Sequence, residues 1–140
     1  MNAVIINIAL SQFGIREIPG EMDNPEITKY FKEIGFDGSW VKDETAWCSA
    51  FLNWCAKQAE LPRSEQLNAR SWRTIGKQVT TPEIGDVVVF WRESPESWKG
   101  HVALFIRETE NYIYVLGGNQ NNQVSIKPYA KARLLEYRRL

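Results

Sequence analysis

Three kinds of side chain in this sequence could act together in covalent chemistry: a thiol, an imidazole and an amide. The chain has two cysteines, Cys48 and Cys55, both within "TAWCSAFLNWCAKQAELP", and one histidine, His101. Any mechanism that needs an imidazole must therefore use His101. A thiolate nucleophile needs a base within hydrogen-bond reach, and the base needs a partner that orients it. Asn119 and Gln120, in "GGNQNNQ", offer amides for that last role.

The two thiols have different prospects. Phe51, Leu52, Cys55 and Ala59 recur at helical spacing and Pro62 stops the pattern, so residues 47–60 read as a helix. Seven residues of helix rise ~10.5 Å, whereas bridged Cα atoms lie within about 7 Å, so the two thiols cannot pair within the chain. Cys55 falls mid-helix among apolar neighbours and reads as a core thiol. Cys48 falls in the first turn, where unpaired N–H groups and the positive end of the helix dipole favour an anion and lower a thiol's pKa. A helix start is also an ordinary place for a plain buried thiol, so position alone does not decide.

His101 opens the apolar run "HVALFI". If 101–106 and 112–116 form a hairpin, the end of the second strand lies beside the start of the first. Asn119 or Gln120 then falls next to the imidazole, where an amide oxygen can accept the ring N–H and fix its tautomer. "GGNQNNQ" is equally a good hairpin turn, since Gly and Asn tolerate positive φ.

These groups need elements to hold them. Residues 3–13 and 25–34 read as two further helices, and 63–85 as mixed, with a short helix around "NARSW". Five short runs rich in β-branched and aromatic residues follow, at 86–91, 101–106, 112–116, 123–129 and 133–140. Helices first and strands second predict an α+β fold, with the Cys48 helix packed on a mostly antiparallel sheet of about five strands. At 140 residues the expectation is one domain over 1–140.

Composition removes several function classes. Seventeen basic and seventeen acidic residues balance, which argues against a nucleic-acid partner held by phosphate neutralisation. No run approaches the ~20 apolar residues of a membrane span. "MNAVIINIALSQFG" has neither a cationic start nor a small-residue cleavage site, so it does not read as a secretory signal. The expectation is a chain made in the cytoplasm that reaches any outside target by release or delivery. One His and two Cys match no usual zinc-ligand spacing, and neither metal nor cofactor is expected. Among the six tryptophans, Trp47, Trp91 and Trp98 are candidates to wall a groove, with ordinary packing as the plainer reading. Glu17, Asp43 and Glu44 could meet a substrate amine, and Arg70 a substrate carboxylate.

In this order, "WCSAFLNWC", "GDVVVFW", "GHVALFI" and "VLGGNQNNQVSI" resemble the NlpC-type and CHAP-type papain-like cysteine peptidases and amidases. The opening "GIREIPGEMDNPEI" resembles that of their compact phage and bacterial branch. The resemblance implies a papain-like fold with Cys48 as nucleophile, His101 as general base and Asn119 as the orienting residue. It also implies an enzyme that hydrolyses amide bonds of bacterial peptidoglycan: stem-peptide bonds, cross-bridges or the bond joining peptide to glycan. The mechanism expected is acyl transfer through a thioester, and the missing signal suits a phage lysin or a delivered effector, whose producer would need a neutralising immunity protein. Two positions depart from the pattern. Trp47 stands where many NlpC-type enzymes have an amine-recognising Asp, and Lys42 stands where papain-like proteases often have an oxyanion-hole Gln, leaving the Cys48 N–H as the oxyanion donor. Two other functions remain open: a transferase or deamidase on proteins using the same site, and a non-catalytic wall-binding module.

Overall fold

The computed structural model describes residues 1–18, 24–36 and 47–140. Three α-helices come first: α1 (Ala3–Leu10), α2 (Pro25–Lys32) and α3 (Trp47–Gln58). Asn24 caps α2, its side chain accepting the Glu26 N–H at 2.9 Å, and Pro25 takes the first helical position, where a missing N–H costs nothing. A 3-10 helix, Ala69–Thr74, leads into strands β1 (Lys77–Val79), β2 (Val87–Trp91), β3 (Gly100–Glu108), β4 (Tyr112–Gln120), β5 (Gln123–Ala130) and β6 (Leu134–Arg139). No helix among the described residues is long and apolar enough to cross a membrane.

The sheet has six strands in the order β1-β6-β2-β3-β4-β5, one more than expected. The addition is β1, whose three residues "KQV" carry no alternating pattern. It exists because β6 offers an edge, pairing Gln78 with Arg138. All pairings are antiparallel.

α3 packs on β3 and β4 and is buried on every side from Trp47 to Ala56. The sequence shows one apolar stripe, but the polar residues opposite it are buried as well. Ser49 Oγ donates to Gln66 O at 2.6 Å and accepts from Trp72 Nε1 at 3.0 Å. Asn53 donates to Gln66 O at 3.0 Å and accepts from the Glu65 N–H at 2.8 Å. Those bonds offset the desolvation of two polar side chains and strap residues 64–72 across the helix. α2 covers another side through Tyr30, whose ring meets Phe51 edge-on at 5.0 Å. Each fully buried side chain of this size contributes ~1.5–3 kcal/mol.

The sheet's two faces feed separate cores. Val87, Val89, Val102, Leu104, Leu116 and Val124 pack with the helices. Val88, Phe90, Ala103, Phe105, Ile113 and Val115 form a second cluster on the far face. The sheet coils enough for Tyr129, on the edge strand, to stack on Phe90 at 5.0 Å, although β5 and β2 are not neighbours in the sheet.

Candidate active site

Cys48 lies in the first turn of α3 and is 2% exposed, and both cysteines are free thiols. Cys55 is fully buried in the core. Gly118 of β4 sits directly under the start of α3: a Cβ there would lie 2.8 Å from Phe51 Cβ and 2.9 Å from the Trp47 ring. Only a glycine lets the helix approach this closely, and the approach brings Cys48 to the β3–β4 hairpin. The regular pairing of those strands reaches Leu104↔Leu116. Two residues beyond, the Val102 N–H reaches the Cys48 sulfur, and the N–H groups of Cys48 and Ser49 reach it from the helix start. The thiol thus meets the backbone of the residue that follows His101.

Burial pushes the Cys48 thiol up, and the three N–H donors and the Arg92 charge offset this only in part. Position in a first turn predicts the opposite direction. Desolvation of a fully enclosed sulfur outweighs the helix start.

His101 pairs across the ladder with Phe90 and is 6% exposed. Its Nε2 lies 2.9 Å from Gln120 Oε1. Gln120 is fully buried, and its Nε2 donates to Ser125 O at 2.7 Å and Val115 O at 3.2 Å. A flipped amide would set its oxygen against two carbonyls, so Oε1 must face the imidazole. An amide oxygen only accepts, so the His101 Nε2 carries the proton and Nδ1 keeps its lone pair. Burial lowers the His101 pKa to about 4, with the Arg92 and Lys127 charges adding to it and the Gln120 bond opposing. The imidazole is therefore neutral at pH 7.

The ring's partner is Gln120, where the family resemblance implies Asn119. The cause is a bulge. Gly117 pairs with Ser125 and Gln120 with Gln123, leaving two residues of β4 against one of β5. Asn119 takes up the extra residue with φ +56°. Continuing the β3–β4 register would set Asn119 opposite His101. The added residue resets the alternation, so Gln120 shares the face of Gly117 and His101. Asn121 and Asn122, with φ +56° and +60°, then close the hairpin as the two central residues of a type I′ turn.

Other predicted contacts fall elsewhere. Trp47 is fully buried and its Nε1 donates to Glu17 Oε1 at 2.8 Å, so indole and carboxylate satisfy each other instead of lining a groove. Arg70 is spent on the chain itself, donating to the carbonyls of Lys99 at 2.8 Å, Pro95 at 2.8 Å and Ser94 at 3.0 Å. It ties down the β2–β3 loop that leads to His101. Trp91 donates to Ala132 O at 3.2 Å under the Arg133 guanidinium, and Trp98 is 64% exposed. Gln120, one of the two amides that the hairpin reading sets beside the imidazole and also a candidate to touch substrate, is the one bonded to His101. Asp43, Glu44 and Lys42 lie outside the described residues.

One contact was not anticipated. Tyr129 stacks on His101 with ring centroids 4.8 Å apart, and burial followed by the nearby Cys48 raises its phenol well above the usual range. The strand run "QVSIKPY" holds this residue, but a stack that depends on the coiling of a whole sheet leaves no local signal.

The family model for the CHAP domain matches residues 40–119. No curated protein gives a significant match. The matched span runs from just before the cysteine helix to the bulge of the histidine hairpin, more than half of the chain, and on that match the chain belongs to the CHAP domain family.

Proposed function

We propose that the chain is a peptidoglycan amide hydrolase with a papain-like site, acting through Cys48 and a thioester, with 1–140 as one catalytic domain. The observation that carries this reading is the meeting of the Cys48 sulfur with the N–H of Val102, the residue that follows a histidine whose tautomer Gln120 fixes. Membership of a family of peptidoglycan hydrolases and amidases supplies the substrate class.

In this mechanism the resting thiol and imidazole are both neutral. His101 Nδ1 takes the Cys48 proton as the sulfur attacks the amide carbonyl carbon. The oxyanion accepts from the N–H groups of Cys48 and Ser49, which point towards the sulfur from the first turn of α3. His101 returns the proton to the leaving nitrogen, the C–N bond breaks, and an acyl group remains on sulfur as a thioester. Water enters, gives a proton to Nδ1 and attacks the same carbonyl. The sulfur leaves and is reprotonated by His101. Gln120 keeps Nε2 as the donor throughout and stabilises the transient imidazolium. The orienting role therefore passes from Asn119 to Gln120.

The chain reaches the wall by release or delivery from the cytoplasm, as a lysin or as an effector with an immunity partner. Purified peptidoglycan incubated with wild type and Cys48→Ala tests the reading. Wild type should release fragments with one new amine and one new carboxylate per bond cleaved, by mass spectrometry, and the variant none. Products in which two fragments are joined would instead identify a transferase. Equal wall binding by both proteins with no fragment released would identify a binding module.

A further inference from the structure

Arg92 follows Phe90 by two positions, and its N–H donates to Lys99 O at 3.2 Å, carrying the β2–β3 pairing one step past Trp91↔Gly100. Strand side chains alternate, so Arg92 stands on the face that carries Phe90 and His101, ~7 Å further along. Lys127 reaches that face from β5, its ammonium 5.4 Å from the centre of the Tyr129 ring that stacks on His101.

Arg92 is half-buried, yet among the described residues its guanidinium makes no ion pair and no hydrogen bond. Glu93 pairs with Lys99 at 2.7 Å and feels the Arg92 charge only after that of Lys99, and the charge of Glu96 acts on Arg70. The charge of Arg92 is felt at Cys48, His101 and Tyr129 alike. Among the described residues no carboxylate stands within ion-pairing distance of it, and a planar guanidinium fits a carboxylate in two parallel bonds.

We propose that Arg92, with Lys127 beyond the Tyr129 ring, forms a carboxylate-binding site beside Cys48 and His101, so that the amide hydrolysed lies in an acidic peptide with a free carboxylate close to the scissile bond. The substrate part of this proposal rests on the hydrolase reading; the anion site does not.

The test has two arms. The first measures alkylation of Cys48 in the folded protein by anionic iodoacetate and by neutral iodoacetamide, located by peptide mapping, in wild type, Arg92→Gln and Arg92→Lys. The iodoacetate-to-iodoacetamide rate ratio should fall about tenfold in Arg92→Gln, as expected for losing one charged contact, and stay near wild type in Arg92→Lys. An unchanged ratio in Arg92→Gln overturns the site. The second arm compares kcat/KM on paired wall peptides that differ only in a free carboxylate or its carboxamide beside the cleaved bond. Wild type should favour the carboxylate ~10- to 100-fold, and Arg92→Gln should bring that preference towards one. Equal cleavage of both peptides by wild type overturns the acidic-peptide assignment while the hydrolase reading stands. No cleavage of either peptide, with the alkylation ratio as expected, overturns the hydrolase reading while the anion site stands.

Discussion

Acid should destabilise this protein through His101 before its carboxylates titrate. In the unfolded chain the imidazole has a pKa near 6.5, and in the folded protein burial lowers it to about 4. Between those values the unfolded state binds a proton that the folded state refuses. Stability therefore rises with pH across that window, is fully present above about 6.5, and is lost as pH falls towards 4. The interval of about 2.5 pH units, at ~1.36 kcal/mol each, comes to about 3 kcal/mol, a large fraction of the stability of a domain this size. Urea unfolding followed by tryptophan fluorescence at pH 7, 5.5 and 4.5 measures it, with His101→Gln as the reference. The variant should be weaker at pH 7, because the ring stacked on Phe90 and Tyr129 is lost, but its stability should change much less over the window. The chain has one histidine, so the imidazole Cε1 proton is assignable directly by NMR and should titrate near 4. A histidine titrating near 6.5, or equal pH slopes in the two proteins, would refute the buried, neutral imidazole.

Three further substitutions probe the support of the site. Gln120→Leu strands the His101 N–H and two carbonyls; it should cost ~2–4 kcal/mol by denaturant unfolding and lower kcat/KM at least ~100-fold on wall peptides, since the tautomer is no longer held. Gly118→Ala places a methyl group 2.8 Å from Phe51 Cβ and should cost ~1–3 kcal/mol in thermal unfolding, with a loss of Cys48 alkylation rate as α3 is pushed off β4. Arg70→Met frees three loop carbonyls; limited proteolysis within 93–99 should speed up, while the ratio of iodoacetate to iodoacetamide labelling stays as in wild type.

Much of the frame was legible because its signals are local. The apolar spacing from Phe51 to Ala59 marks α3, and each β-branched run after residue 86 became a strand. What escaped depends on distance or register. The hairpin reading sets Asn119 or Gln120 beside His101 without choosing; a single bulge residue decides for Gln120 over the Asn119 of the resemblance, and a backbone state of that kind leaves no pattern in "GGNQNNQ". Arg70 looked available because the carbonyls that bind it lie 24 to 29 residues further along the chain. Trp47 and Glu17 satisfy each other across 30 residues, and neither position reveals the other. Arg92 could have been found from sequence by counting two positions on from Phe90, once the strand face of His101 was fixed. The raised Cys48 pKa could not, because enclosure of the sulfur is a property of the packed helix, whereas the dipole argument needs only its first turn.

The most direct test is acid-quenched single turnover on a wall peptide, read by intact mass. A thioester intermediate predicts a mass increase equal to the acyl half of the substrate, located on Cys48, removed by neutral hydroxylamine and absent from Cys48→Ala. Turnover that persists in Cys48→Ala, with no hydroxylamine-labile adduct on wild type, would contradict it.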